Sequence, residues 1–411
     1  MPGRETRRST RLAANAGILL LTLAILLAGL EAGFAVLHVN TKSNVRFIPD
    51  KGVTRIPNAY YRHTKEGYSE GYYNSHGFRD YERAYKKPPD TFRIMVLGDS
   101  YVEALEVALA DAFPALLEHT LNELSPSMRF EVLAMGESGF GTADEYMRYL
   151  NFGVDYSPDL VLLAFLTGND IRNNSKSLNQ ENLAFYFAFD QDKHLILDRS
   201  IFDAYQASMT LPKRLFKSIK QHSYFASFLS ERIFLLNRQF QEEQFKTRFA
   251  ADAEAGDKAK LNEISDLNIY LHELSPRWQE AFEITKEIIL KFRASVEERG
   301  ARFVLVTLSN AEQVQPHQAE RVKAKYDLEF DYEQPDRIVT DFAKQNGIAF
   351  LELMPVFRDY HLKTGTRLHG FDSREGGHWN ENGHRLAAQE ILRFLKEQHL
   401  VPLAHIIHEG S

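Results

Sequence analysis

Five short, unbroken apolar runs separated by helical patterns constrain the fold of this chain more than any other feature. FRIMVL (92–97), FEVLAM (130–135), DLVLLAFL (159–166), FVLVTL (303–308) and IAFLEL (348–353) each read as a strand buried on both faces. A strand with one face in water would alternate apolar with polar residues. Between the runs lie amphipathic stretches. Phe113, Leu116, Leu117, Thr120, Leu121 and Leu124 form one stripe. Trp278, Ala281, Phe282, Thr285, Ile288, Ile289, Phe292 and Val296 form another, opened by Ser275-Pro276 and closed by Gly300. Further helical patterns lie near 142–152, 335–346 and 382–398. Strands joined through helices pair in parallel, and a parallel sheet needs helices on both faces. The expected fold is therefore α/β, a three-layer sandwich around about five parallel strands.

The N-terminus follows a different pattern. Arg4, Arg7, Arg8 and Arg11 precede 18 uncharged residues from Ala13 to Leu30, and the apolar run resumes after Glu31. About 20 apolar residues cross a hydrocarbon core, so Ala13–Val39 can span a membrane with Glu31 near the outer interface. A cleaved signal peptide is the competing reading, although its apolar region is usually about 7–15 residues. Positive charges flank the run on both sides, with Lys42, Arg46, Lys51 and Arg55 beyond it, so they orient it only weakly. The expectation is one membrane-anchoring pass through residues 13–39, with the rest of the chain outside the cytoplasm, in the periplasm or on the cell surface.

Charge and cysteine usage remove whole classes of function. The 49 Lys+Arg against 56 Asp+Glu give a net charge of −7. The first forty residues hold four of the former and two of the latter, so the remainder carries 45 against 54, a net of −9. A nucleic-acid partner, which requires a basic face, is not expected. The chain has no cysteine, which excludes disulfides, thiolate nucleophiles and Cys-zinc sites. No HExxH is present either, and neither a metal nor an organic cofactor is expected.

Four segments follow. Residues 1–40 form the anchor or signal, and 41–90, rich in Tyr and Gly, a wrapping or linker segment of irregular structure or short strands. Residues 91–170 and 275–400 form the main domain, interrupted by 171–274, which is polar, aromatic and helix-prone and reads as a helical insertion or lid.

In open parallel sheets, ligands bind beyond the carboxyl ends of the strands. Three such ends carry Gly98-Asp99-Ser100, Gly136-Glu-Ser-Gly139-Phe-Gly141 and Gly168-Asn169-Asp170, while the final segment carries Glu375-Gly-Gly-His378 and Gly383-His384. Together they supply a hydroxyl, glycine N–H donors, an amide, an imidazole and a carboxylate, a set suited to acyl transfer. Ser100 would be the nucleophile and His378 its base. The oxyanion would lie against the Ser100 and Gly139 N–H groups and the Asn169 side chain. Asp99 and Asp170 read as structural supports of their turns, and His384 as a packing residue at a helix start. The Gly136–Gly141 turn is followed by Thr142-Ala143 instead of Lys-Ser/Thr, so it is no phosphate loop. The tyrosines of 60–73 could stack on sugar rings, although packing or solvent-facing roles are commoner.

These blocks resemble the SGNH (GDSL-type) esterase/lipase family in order and in position. Gly98-Asp99-Ser100 matches its nucleophile block, Gly139 its oxyanion glycine, Gly168-Asn169-Asp170 its third block, and Glu375-Gly-Gly-His378 its Asp-x-x-His block. The resemblance covers about 92–170 and 275–398 and implies a flavodoxin-like fold with strand order 2-1-3-4-5. Three positions depart from the family pattern: Ala104 where Gly is frequent, Ala134 where Asn is frequent, and Glu375 where Asp is usual. The orienting carboxylate is therefore Glu375, with Asp372 as the alternative, unless a Ser–His dyad suffices. The resemblance implies hydrolysis of carboxylic esters through an acyl-Ser100 intermediate, and the expected location outside the cytoplasm favours acetyl or other short acyl groups on an envelope glycan or lipid as the substrate. An O-acyltransferase with the same Ser-His site, and a catalytically silent envelope scaffold, are the alternatives.

Overall fold

The structure, a computed structural model, describes residues 3–37, 42–179, 183–250, 261–326, 328–372 and 374–403. Residues 38–39 of the expected span and most of the Ala/Asp/Glu/Lys-rich stretch at 249–266 lie outside the described residues. The chain forms two compact units, Met1–Asn44 with Met209–Asp257, and Val45–Ser208 with Lys258–Ser411.

The larger unit opens with two antiparallel hairpins from the wrapping segment. β1 (Val45–Ile48) pairs with β2 (Gly52–Arg55), and β3 (Tyr60–His63) with β4 (Ser69–Tyr72). The central sheet follows: β5 (Thr91–Gly98), β6 (Arg129–Ala134) and β7 (Leu160–Leu166). After a hairpin of β8 (Tyr186–Phe189) and β9 (Leu195–Asp198) come β10 (Arg302–Leu308) and β11 (Ala349–Glu352). A last hairpin pairs β12 (His369–Phe371) with β13 (Arg374–Trp379). The central sheet has five strands in the order β6-β5-β7-β10-β11, and all its pairings are parallel. Counted along the sheet strands alone this is 2-1-3-4-5, as the resemblance implied.

The apolar runs are continuous because successive side chains enter two different cores. Met95, Leu97, Val161, Leu163 and Phe165 join one cluster, with Trp278, Ile288 and Phe292 of the helix Pro276–Glu297. Ile94, Val96, Leu160, Leu162 and Ala164 join the other, with Leu117 of the helix Phe113–Leu124 and Ile391 of the helix Glu381–Glu397. Each fully buried side chain of this size contributes about 1.5–3 kcal/mol of transfer free energy, so the sheet is held from both sides.

Segment 171–274 is not a single helical insertion. Its first part is the β8–β9 hairpin and the helix Ser200–Ser208, and Phe185, Phe187 and Phe202 are buried in the first core cluster. Its helices Leu211–His222 and Tyr224–Ala250 belong to the smaller unit, together with the helix Gly3–Leu37. The short aromatic run at 185–189 is outweighed in the sequence by the longer helix-prone run after it.

In the smaller unit, Arg11–Leu37 is 27 residues long and apolar enough to cross a membrane, and none of its most apolar window is buried.

Candidate active site

Strand β5 delivers Ser100 by a sharp turn. A Cβ at Gly98 would lie 2.4 Å from Val102 Cγ2 and 3.0 Å from the Ala164 carbonyl oxygen, so only glycine lets the chain turn there. Asp99 then caps the short helix Ser100–Glu103, its side chain accepting the Tyr101 N–H at 2.9 Å. Ala104 ends that helix at φ 51° and ψ 44°. This left-handed conformation costs a non-glycine residue roughly 1–2 kcal/mol.

His378 lies on β13, and its Nε2 is 2.8 Å from Ser100 Oγ. With the ring neutral and its proton on Nδ1, the Ser100 hydroxyl donates to Nε2. The Nδ1–H donates to Glu66 Oε2 at 2.8 Å, and the His378 backbone N–H reaches the same oxygen at 3.1 Å. A second carboxylate, Glu106, lies 3.5 Å from Nδ1. Tyr101 packs against the imidazole with ring centroids 5.1 Å apart. Glu66 and Glu106 are both buried.

The electrostatics follow from this enclosure. Burial works against the imidazolium, but the Glu66 hydrogen bond and the charges of Glu106, Glu66 and Asp99 outweigh it and raise His378 to about 9. Burial raises the carboxyl of Glu106, with the charge of His378 pulling the other way. Two histidines that are fully buried, His369 and His384, behave oppositely to the half-buried His378. Burial lowers His369 to about 4, where it bridges Ser309 Oγ and the Gly377 carbonyl. Burial also lowers His384 to about 3, and its Nδ1 accepts the Phe113 N–H. His384 packs at a helix start, as expected from its sequence position.

Glu375 and Asp372, the two expected orienting acids, are not beside His378. Glu375 is exposed and bonds to Arg321 at 3.2 Å, and Asp372 is exposed and bonds to Arg367 at 3.1 Å. The reason is geometric. Between Glu375 and His378 the backbone passes through Gly376 (φ +76°) and Gly377 (φ +92°), and β12 and β13 pair with a shift of register, so Glu375 is carried out to Arg321 while His378 turns in to Ser100. Asp372 sits at the turn between β12 and β13.

Glu66 instead comes from the loop between β3 and β4, 312 residues before His378. Two glycines let the loop close on the ring. A Cβ at Gly67 would fall 2.0 Å from the Glu106 carbonyl oxygen, and one at Gly377 (φ +92°) would fall 2.7 Å from Glu66 Oε2. No motif or spacing in the sequence distinguishes Glu66 from its neighbour Glu70.

The wrapping segment also supports the loops around Ser100. Arg79 is buried, donating to Tyr61 Oη at 2.9 Å and to the carbonyls of Glu103 at 2.9 Å and Val107 at 2.6 Å. Arg55 bridges Glu103 at 2.9 Å and Glu137 at 2.7 Å. Glu103 in turn accepts the Ser138 N–H at 2.8 Å and the Tyr73 hydroxyl at 2.9 Å. Tyr61 and Tyr73 are thus packing residues, whereas Tyr68 and Tyr72 are exposed.

Gly139 lies in the loop after β6 at φ +85°, with nothing within 4 Å of where a Cβ would be. Asn173 donates to the Gly139 carbonyl at 3.2 Å and orients that peptide. Asn169 follows β7 and donates one amide hydrogen to Asp99 Oδ2 at 3.1 Å, and the amide has a second to offer. Asp170 Oδ2 accepts the Leu166 N–H at 2.8 Å, tying the turn that carries Asn169. Glu66, Glu106 and His378 present ligand atoms within 4.8 Å of one another, a spacing that could hold a metal ion. A cation there would occupy the carboxylate oxygens on which the imidazole otherwise rests.

No protein-family model matches the chain, and no curated protein matches it. Among solved structures it is similar to the acetyl xylan esterase AlAXEase, at 13% identity and a TM-score of 0.39, over 74% of this chain and 98% of that one. It is similar to TesA at 14% identity and a TM-score of 0.36, again over 74% and 98% of the two chains. A catalytic mutant of Axe2, an acetylxylan esterase from Geobacillus stearothermophilus, matches at 13% identity and a TM-score of 0.38, over 74% and 94%.

Proposed function

We propose that this chain is a membrane-anchored serine esterase whose catalytic residues are Ser100, His378 and Glu66. The observation that carries the reading is the continuous hydrogen-bonded line from Ser100 Oγ through both imidazole nitrogens to a buried carboxylate. Such a line makes a hydroxyl nucleophilic and holds the base in the required tautomer.

Ser100 Oγ attacks the ester carbonyl carbon while His378 Nε2 takes its proton. The oxyanion forms against the N–H groups of Ser100 and Gly139 and the side-chain amide of Asn169, each donor typically supplying about 10²–10³ in rate. The intermediate collapses to acyl-Ser100, and His378 returns the proton to the departing alcohol. Water, deprotonated by the same nitrogen, then attacks the acyl carbon; the bond to Ser100 Oγ breaks, His378 returns the proton to that oxygen, and the acid leaves. Glu66 stays ionised and stabilises the imidazolium. Asp99 and Asp170 hold the loops and touch no reacting atom.

The helix Gly3–Leu37 anchors the protein and places the esterase unit outside the cytoplasm, where acetyl or other short acyl esters of envelope glycans or lipids are the substrate class. Labelling the full chain with a fluorophosphonate and assaying p-nitrophenyl acetate tests the mechanism. Wild type should label, and Ser100→Ala should lose both labelling and turnover. Unchanged labelling of Ser100→Ala would rule Ser100 out as the nucleophile.

A further inference from the structure

The helix Leu211–His222 has no buried residue and belongs to the same unit as the Gly3–Leu37 helix. Helical geometry at 100° per residue gathers Leu211, Pro212, Leu215, Phe216 and Ile219 on one arc. Lys213, Arg214, Lys217 and Lys220 fall on the opposite arc, and the helix contains no acidic residue. The apolar arc is uncovered: Leu211 is 80% exposed, Leu215 61%, Phe216 54% and Ile219 45%. Four large apolar side chains on one face of a basic helix require an apolar neighbour.

The attachment of this helix indicates which neighbour. Immediately after its last residue, Ser223 Oγ donates to Glu31 at 2.7 Å, as do the N–H groups of Tyr224 at 2.7 Å and Phe225 at 3.2 Å. Phe34 packs edge-on against Phe225 and Phe228, and the Ser43 N–H donates to the Lys220 carbonyl at 3.3 Å and to Ser227 Oγ at 2.9 Å. The C-terminal end of the amphipathic helix is thereby held at the level of Glu31. Arg11 and Glu31, the charges that bound the apolar stretch, are twenty residues apart, which is about 30 Å of helix and the thickness of a hydrocarbon core. Glu31 marks one membrane interface, and the amphipathic helix is tethered at that depth.

We infer that the helix Leu211–His222 lies in the membrane–water interface, its apolar arc among the acyl chains and its basic arc against anionic lipid headgroups. An amphipathic helix rich in Lys and Arg partitions in this way through buried apolar area plus attraction to anionic lipid. The inference rests on the reading of Gly3–Leu37 as a membrane anchor. It adds a second contact with the bilayer, supplied by a segment far along the chain from the first.

Tryptophan fluorescence of the full chain in vesicles tests it. The native Trp278 and Trp379 are fully buried in the other unit, so a tryptophan introduced in the smaller unit reports its own surroundings. Three single variants, Leu23→Trp, Phe216→Trp and Lys217→Trp, are reconstituted in phosphatidylcholine vesicles carrying brominated acyl chains, with and without phosphatidylglycerol. The expected result is a blue shift and bromine quenching for Leu23→Trp and Phe216→Trp, and neither for Lys217→Trp. Phosphatidylglycerol should increase the quenching of Phe216→Trp, and adding Lys213→Gln, Lys217→Gln and Lys220→Gln should abolish that increase. If Leu23→Trp is quenched while Phe216→Trp is not, the anchor stands and the interfacial helix is refuted. If Leu23→Trp itself is unquenched, the anchor reading fails and takes this inference with it. An anionic-lipid response unchanged by the three Lys→Gln substitutions overturns the headgroup assignment.

Discussion

The placement of two carboxylates around one imidazole predicts that Glu106→Gln will make the enzyme faster at neutral pH. His378, raised to about 9, is protonated at pH 7 in all but about one molecule in a hundred, and a protonated ring cannot take the Ser100 proton. Wild-type kcat/KM should therefore rise about tenfold per pH unit and level off near 9, since kcat/KM reports the free enzyme's base. Glu106 lies 3.5 Å from His378 Nδ1, so the two charges attract by about 1.2 kcal/mol with water-like screening and about 4.7 kcal/mol at an effective dielectric of about 20. At about 1.4 kcal/mol per pKa unit, the neutral amide should move the limb down by about one to three units. At pH 7 the variant's kcat/KM should exceed wild type by about tenfold or more, with the alkaline plateau within about threefold. The assay is p-nitrophenyl acetate hydrolysis from about pH 6 to about pH 10 in a constant-ionic-strength buffer. An unmoved limb, or a uniform loss at every pH, would refute the electrostatic role and make Glu106 a packing residue. The same shift has a consequence for stability. Because the folded value lies above the ordinary one, the ionised pair's contribution is complete below about 6.5 and is lost as pH rises through about 9.

Three further outcomes are expected. Glu66→Gln should lower kcat by about 10²–10⁴, with Glu106 still beside the ring, whereas Glu375→Gln and Asp372→Asn should leave kcat within about twofold because each carboxylate meets only an exposed arginine. The reverse ranking would return the orienting role to the β12–β13 hairpin. Gly67→Ala should cost about 1–3 kcal/mol in a urea melt and lower kcat further than that loss explains, since its Cβ would sit 2.0 Å from a backbone oxygen and displace the Glu66 loop. Glu145 is fully buried with neither carboxylate oxygen hydrogen-bonded. Burial, reinforced by Asp99 and Asp144, raises it well above the ordinary carboxyl range. Its proton is favoured in the folded state, so wild-type stability should fall as pH climbs above about 4.3. Glu145→Gln should then raise Tm more at pH 8 than at pH 5, and an equal effect at both would show that the group is not held protonated.

What the sequence determined by itself was local in origin. The apolar runs at 92–97, 130–135, 159–166, 303–308 and 348–353 became the five strands of one parallel sheet, because a strand buried on both faces advertises itself within its own few residues. The Ser100–His378 contact involves two residues that the sequence singled out: Ser100 sits in the Gly-Asp-Ser turn at a strand end, where a parallel sheet collects ligands, and His378 beside the Gly-Gly pair of the last segment. The hairpin of β8 and β9 was obscured because its strands are only four residues each beside a longer helix-prone run. The orienting acid was decided by tertiary structure alone. Glu375 has the expected spacing from His378, but the backbone path through Gly376 and Gly377, both at positive φ, takes its carboxylate out to Arg321 instead of to the imidazole. Glu66 reaches the imidazole because the β3–β4 loop folds over a site completed 312 residues later. A contact across that separation leaves no periodicity for a single sequence to show.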